Sequence, residues 1–266
     1  MSFRVDHDYH IHSQLSACSS DPEQSAARIL QYALDNNLHT LVLTDHYWDN
    51  TVPGASKWYQ PQDFAHIAQS LPLPQHESCR FLFGCETDMD RFGVVGVPED
   101  RYDDFDFIIV PTTHLHMPGF TRLDDGEIVE KRAATFVKRF EQFLSQSLPY
   151  HKTGLAHITC PLIMRTDNQY IQVLDTVTDA QFADLFSGCA KKGCGVEINM
   201  PLTQLTDEAI RESCLRPYRI AKEQGCRFYF GSDAHHPGDF DGVCDKFRLA
   251  VDMLGLTADD QFVIGA

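Results

Sequence analysis

Short apolar runs recur along the chain, and the stretches between them carry their apolar residues at helical spacing. The runs Thr40-Leu-Val-Leu-Thr44, Arg80-Phe-Leu-Phe-Gly84, Phe107-Ile-Ile-Val110, Gly154-Leu-Ala-His157, Gly195-Val-Glu-Ile-Asn199 and Cys226-Arg-Phe-Tyr-Phe230 read as buried strands. Asp8-Tyr9-His10-Ile11-His12 opens the series, and strict period-two alternation would send Asp8, His10 and His12 to one face and Tyr9 and Ile11 to the other. Asp21 as N-cap with Pro22 at the first helical position predicts a helix through about Asn36, with Ala26, Ile29, Leu30, Ala33 and Leu34 as its apolar stripe. Further helices are expected over about Pro61 to Ser70, Asp125 to Gln146, Asp179 to Lys191, Thr206 to Gln224 and Val243 to Leu254. Tyr47 to Gln60, with Trp48, Pro53, Gly54 and Trp58, has no period and reads as a long loop over the strand ends. Strands alternating with helices, without repeats or linker-like tracts, predict an α/β fold: a parallel barrel of seven units in one domain, residues 1–266.

Length and composition agree with this. A chain of 266 residues, 43% of them apolar and 11% aromatic, can fill one barrel core. Lys and Arg number 22 against 38 Asp and Glu, and the resulting charge of -16 makes nucleic acid a poor partner. No apolar run approaches the ~20 residues of a membrane span, and the nine cysteines form an odd set without a Cys-x-x-Cys pair. A cytoplasmic protein with reduced thiols and no membrane contact is the expectation.

The chemistry lies where the predicted strands end. His10 and His12, Asp45-His46, Glu86, His114, His157 and Asp233-Ala-His235 all fall at such positions. In a parallel barrel those ends converge on one mouth. Neutral imidazole and carboxylate are the ligand set of zinc, iron or manganese. One ion needs only about four protein ligands, whereas His10, His12, His46, Glu86, His114, His157, Asp233 and His235 make eight. The surplus predicts two or three divalent transition metals, with a carboxylate shared between them.

In this order and spacing, Asp8-Tyr-His10-Ile-His12, Thr44-Asp-His46, Glu86, His114, His157 and Gly231-Ser-Asp233-Ala-His235 resemble the motifs of the PHP (polymerase and histidinol phosphatase) family over nearly the whole chain. The resemblance implies a distorted, TIM-like (β/α)7 barrel holding up to three ions. By analogy His10, His12, Glu86 and Asp233 would hold one, Glu86 would bridge to a second held by His114 and His157, and His46 and His235 would help bind a third. Many relatives carry Asp or His six residues after the second His of the opening motif; this chain has Cys18 there, whose thiolate is a candidate ligand, with Asp21 or water as substitutes.

The activity implied is hydrolysis of a small phosphomonoester, histidinol phosphate being one candidate, by a hydroxide shared between two metals, with Asp233, His235 and Glu86 as the catalytic set. The alternatives are a non-catalytic, metal-stabilised interaction module and an amidohydrolase-type hydrolase; the latter commonly needs a strand-end Lys, and none is predicted. Asp8 and Asp45 are expected to support ligands rather than bind metal. His116 could replace His114, and Glu197 and Asn199 could line the mouth. Arg91, Arg122, Lys152 and Arg165 are candidates for clamping phosphate. His7, His39, His66, His76 and His151 are expected to be solvated or structural, and His236 to lie on the surface.

Overall fold

The computed structural model describes residues 2–19, 21–166 and 168–265, so Met1, Ser20, Asp167 and Ala266 lie outside it. Eight parallel strands form one sheet: β1 (His7–Ile11), β2 (Thr40–Leu43), β3 (His46–Tyr47), β4 (Arg80–Thr87), β5 (Phe107–Pro111), β6 (Thr153–Ala156), β7 (Gly195–Ile198) and β8 (Arg227–Phe230). The order is β1-β2-β4-β5-β6-β7-β8, with β3 paired beside the end of β4. The seven expected strands are all present. The addition is β3, which extends the predicted β2 path and sets His46 opposite Glu86 in register.

The sheet curls into a nearly closed barrel. Between β1 and β8 the seam is not an ordinary ladder. The Phe230 N–H donates to His7 Nε2 at 3.0 Å and the Ser232 N–H to Asp8 Oδ1 at 2.9 Å, so side chains stand in for main-chain acceptors. Main-chain bonds take over further up, Asp233 N–H to the His10 carbonyl at 2.7 Å and His12 N–H to the Ala234 carbonyl at 3.0 Å.

A register shift between Asp8 and Ile11 accompanies this seam and breaks the expected alternation. Tyr9 turns into the barrel interior with Phe107 and Tyr229. Asp8 instead receives the Tyr32 hydroxyl from α1 at 3.1 Å. The extra residue of a bulge shifts the faces of a strand by one, so Asp8 does not share a face with His10 and His12.

Helices α1 (Ala26–Asp35), α2 (Phe64–Ile67), α3 (Val129–Ser145), α4 (Gln169–Thr176), α5 (Asp179–Lys192), α6 (Leu202–Thr206), α7 (Arg211–Glu223) and α8 (Val243–Leu254) complete the chain. Apolar side chains from the helices and the outward faces of the strands form one continuous core, and Tyr9, Val42, Leu82, Phe107, Ile109, Ala156, Tyr229 and Phe262 fill the barrel itself. Several helix boundaries differ from the periodicity. α1 starts at Ala26, capped by Ser25, because Gln24 is buried with its amide on the His12 carbonyl at 2.9 Å. α3 begins later than Asp125, whose carboxylate is held by Arg122 and Arg132. The expected Thr206–Gln224 helix starts only at Arg211, as α7, with the short α6 ending at Thr206 before it; between them the Asp207 carboxylate accepts the Ala209 N–H at 2.9 Å and holds a turn. α4 was not visible as a period at all. α5 matches its expected span, with a Thr178 capping box and Gly193 left-handed after its end. No helix among the described residues is long and apolar enough to cross a membrane.

Candidate metal centre

The upper ends of the strands deliver acids and imidazoles to one place. Glu86, on the last turn of pleat in β4, is buried at the centre, and its two carboxylate oxygens face different neighbours. Oε2 lies 3.5 Å from His10 Nε2, 3.4 Å from His12 Nε2 and 3.0 Å from His46 Nδ1. Oε1 lies 3.2 Å from His157 Nε2 and 3.8 Å from His114 Nε2. Asp233 Oδ1 closes the first group, 3.4 Å from His10 Nε2 and 3.0 Å from His12 Nε2. Four groupings have ligand atoms within 4.8 Å of one another: His10, His12, Glu86 and Asp233; Glu86, His114 and His157; His12, Cys18, His46 and His235; and His10, His157 and Glu197. All nine residues singled out from the sequence meet here.

Backbone strain marks two of them. His157 (φ 25°) and Asp233 (φ 56°) both occupy positive φ without being glycine. Beside Asp233, Gly231 is required by close approach: a Cβ there would overlap Glu197 Oε1 and lie 2.5 Å from His10 Cβ.

The far nitrogen of most imidazoles has a partner that sets its direction. His10 Nδ1 meets Glu197 Oε1 at 2.7 Å, and the same carboxylate takes the His157 N–H at 2.6 Å on Oε2. Ser16 Oγ donates to Asp45 Oδ1 at 2.7 Å and accepts from His12 Nδ1 at 2.9 Å, so Asp45 acts on His12 through Ser16. Thr113 Oγ1 lies 2.8 Å from His157 Nδ1, Asp88 Oδ2 lies 3.0 Å from His114 Nδ1, and His235 Nδ1 donates to the Asp233 carbonyl at 2.7 Å. Asp88 is itself fixed by the buried Arg139 of α3, 3.1 Å away. Asp8 holds the Ser232 N–H, which steadies the Asp233 loop.

With their Nδ1 sides committed to Glu197 and Ser16, His10 and His12 turn their Nε2 atoms toward each other at 3.1 Å. Burial lowers both imidazoles, but the facing carboxylates more than reverse it, raising His10 well above its ordinary value and His12 to about 9. Burial pushes Glu86 up, and His46, His10 and His12 overturn that and hold it well below the usual range; Asp233 is lowered likewise by His10 and His12. Burial brings His235 down to about 4, leaving its Nε2 a lone pair. The centre therefore favours positive charge, which protons or divalent cations supply in competition.

One atom tests the fit to cations directly. His46 Nδ1 is buried with no hydrogen-bond partner, although Glu86 Oε2 is 3.0 Å away without bonding geometry. A buried imidazole nitrogen with no hydrogen-bond partner in such surroundings suits a cation ligand and is costly otherwise.

Above the cluster opens a cavity of about 380 Å³, lined by His46, Glu86, His114, Asp233, His235 and the exposed Cys18 on one side, and by Trp58, Tyr59, His116, Met117, Leu162 and Arg165 on the other. Of the four basic residues considered for phosphate, only Arg165 lines it. Arg91 bonds the Gly119 carbonyl, Arg122 is buried on Asp125 and Glu127, and Lys152 caps the Tyr102 and Phe105 carbonyls. His116 lines the cavity but belongs to none of the ligand groupings. Asn199 lies outside this cavity, and Glu197 beneath it. Sequence reasoning missed Ser16, Asp88, Thr113 and Arg139. The only trace of Asp88 is its alternation with Glu86; Ser16 lies four residues from His12 in a loop without a pattern, and Thr113 and Arg139 make their contacts 44 and 51 positions away.

Fold and centre together define a parallel α/β barrel with imidazoles and carboxylates that could hold metal gathered around Glu86 at its mouth. No protein-family model matches the chain, and no curated protein sequence matches it. Among solved structures it is similar to a histidinol phosphate phosphatase from Lactococcus lactis subsp. lactis, determined with zinc, L-histidinol and phosphate, at TM-score 0.62 and 18% identity, covering 97% of this chain and 98% of that one. A protein of Listeria monocytogenes described as a histidinol phosphatase is similar at TM-score 0.61 and 13% identity, covering 91% of this chain and 99% of the other. These likenesses carry the barrel fold over its full length.

Proposed function

We propose that this chain is a metal-dependent phosphomonoesterase acting on a small substrate at a di- or trinuclear centre. The observation that carries the reading is Glu86, a buried carboxylate whose two oxygens face two different sets of imidazoles. His10, His12, Glu86 and Asp233 would hold one ion; Glu86, His114 and His157 a second; and His12 or His46 with Cys18 and His235 a third. Zinc, manganese or iron suits this donor set. When bound, such ions supply Lewis acidity toward water and phosphoryl oxygens.

The chain's own groups do the rest. Arg165, at the rim, donates to the phosphoryl oxygens and sets the phosphorus over the cluster. Asp233, whose side chain is 30% exposed, reaches the cavity and orients the attacking water by accepting its hydrogen bond. Water adds to phosphorus, the ester P–O bond breaks, and the alcohol leaves with a proton, giving inorganic phosphate. Trp58, Tyr59, Met117 and Leu162 limit the space to a small molecule and exclude bulk water. The bound histidinol and phosphate of the Lactococcus structure support a small phosphomonoester here too.

Purified protein should contain more than one equivalent of transition metal by elemental analysis and release phosphate from small monoesters. Chelation should stop that release, and zinc or manganese should restore it. A folded, metal-loaded protein that hydrolyses no monoester would overturn the reading.

A further inference from the structure

A second cavity reaches the centre from the side of β6, β7 and β8. Its volume is about 370 Å³, and His157, Asn199, Ser232, Asp233, Asp239 and Lys246 are among its lining. Among the described residues, Asp233 is the one that lines both this cavity and the one above the cluster, so its side chain partitions them. Of the residues grouped as ligands, His157 and Asp233 are the two at positive φ, and they are also the two that face the second cavity.

Two donors on this lining have nothing to bind within the protein. Lys246, half-buried on α8, forms no ion pair and no hydrogen bond among the described residues; Asp8, Asp233, Glu197 and Asp239 attract its ammonium only from a distance. The acid nearest in the chain, Asp239, spends its carboxylate on the His235 and His236 N–H groups, each at 2.9 Å. The side-chain amide nitrogen of Asn199 is buried without a hydrogen-bond partner. An ammonium and an amide N–H left unmatched on one wall are costly unless an acceptor from outside meets them.

Resting on the phosphomonoesterase reading, we propose that this second cavity binds the inorganic phosphate product, which leaves behind Asp233 past Lys246 and Asn199 while the alcohol leaves by the first cavity. The first cavity suits the alcohol and not the dianion. Its outer wall is apolar at Trp58, Met117 and Leu162, and it offers a doubly charged ion little in exchange for water. The second offers a charge-assisted bond from Lys246 and a further N–H from Asn199. An unpaired lysine also offsets the repulsion that a chain of charge -16 exerts on an anion. Lys246 is then a residue that binds the departing phosphate and not the entering ester.

The test measures inhibition of p-nitrophenyl phosphate hydrolysis by inorganic phosphate on the zinc- or manganese-loaded enzyme. Phosphate on the cluster competes with the ester, whereas phosphate behind Asp233 binds with the ester still in place, so mixed inhibition is expected. Lys246→Gln should raise the constant for phosphate binding to the ester complex at least about tenfold, with the competitive constant and KM within about twofold of the parent. Purely competitive inhibition in the parent, or a KM that rises in step with the phosphate constants, would overturn the proposal. Titration calorimetry of the same metal-loaded protein with inorganic phosphate gives an answer independent of turnover. A second phosphate, lost in Lys246→Gln and retained in Lys246→Arg, supports the site; a single phosphate in the parent, or a second that survives Lys246→Gln, overturns it. If no ester is hydrolysed, the phosphatase reading falls instead, and the calorimetric titration decides the anion site alone.

Discussion

The two ends of the barrel use aromatic rings for opposite purposes, and β1 shows both within six residues. At the lower end His7 is a neutral spacer. Its Nδ1 lies 3.0 Å from Asp6, its Nε2 accepts the Phe230 N–H, and its ring stacks on Phe230 at 5.1 Å. Three and five positions later His10 and His12 present their Nε2 atoms to the Glu86 and Asp233 carboxylates. Below, Tyr9, Phe107, Tyr229 and Phe262 fill the interior so fully that a Cβ at Gly154 would overlap the Tyr229 hydroxyl. Above, the same interior is left open and polar. A histidine's identity thus says little about its task; what decides is whether a buried N–H or a buried carboxylate lies opposite.

If the ends are energetically separate, changes at one should leave the other's observable intact. The largest effect is expected for Glu86→Gln, which removes the shared anionic oxygens. More than one equivalent of metal should be lost and activity should fall about a thousandfold, checked by elemental analysis and phosphate release. Phe107→Ala should lower unfolding free energy by about 3–5 kcal/mol in urea titration, with metal content of the folded fraction unchanged. Loss of metal in that variant would show the ends to be coupled. Glu197→Gln keeps the shape but weakens the acceptor behind His10, and should reduce metal affinity about 10- to 100-fold by competition with a chelator dye.

The smallest effect is at His7. Burial lowers its pKa against the pull of Asp6, so the fold favours the neutral ring. Between the lowered folded value and the unfolded value of about 6.5 the unfolded chain binds more protons, so stability is lost as pH falls through that window. In metal-saturated protein, His7→Gln, which keeps an acceptor for Phe230, should flatten the decline below pH ~6.5 by a slope no steeper than about 1.4 kcal/mol per pH unit. Coincident acid limbs for the two proteins would remove His7 from the balance.

The same division explains what could be read from the chain directly. Strand ends were legible because apolar runs stop abruptly at Asp45, Glu86 and His157, and the meeting of nine side chains followed once the strands were parallel. The bulge between Asp8 and Ile11 was not legible, because the groups this stretch accepts from, the Phe230 and Ser232 N–H, lie over 220 positions away. Alternation flagged Glu197 as a residue that could line the mouth and leaves a trace of Asp88 beside Glu86, but not their partners: the Glu197 contact with His10 spans 187 positions and that of Asp88 with Arg139 spans 51. Helix boundaries failed where a polar side chain had a stronger tertiary partner than a cap, as with Gln24 and Asp125.

The seam between the first and last strands has a mechanical corollary. Only a few main-chain bonds and two borrowed side-chain acceptors join these strands, yet His10 and His12 sit on one lip and Asp233 and His235 on the other. Ligation across those lips would act as a clasp fastening the chain's beginning to its end. Amide hydrogen exchange at 230–234 should then slow far more on metal loading than exchange in β4 or β5, which are zipped on both sides.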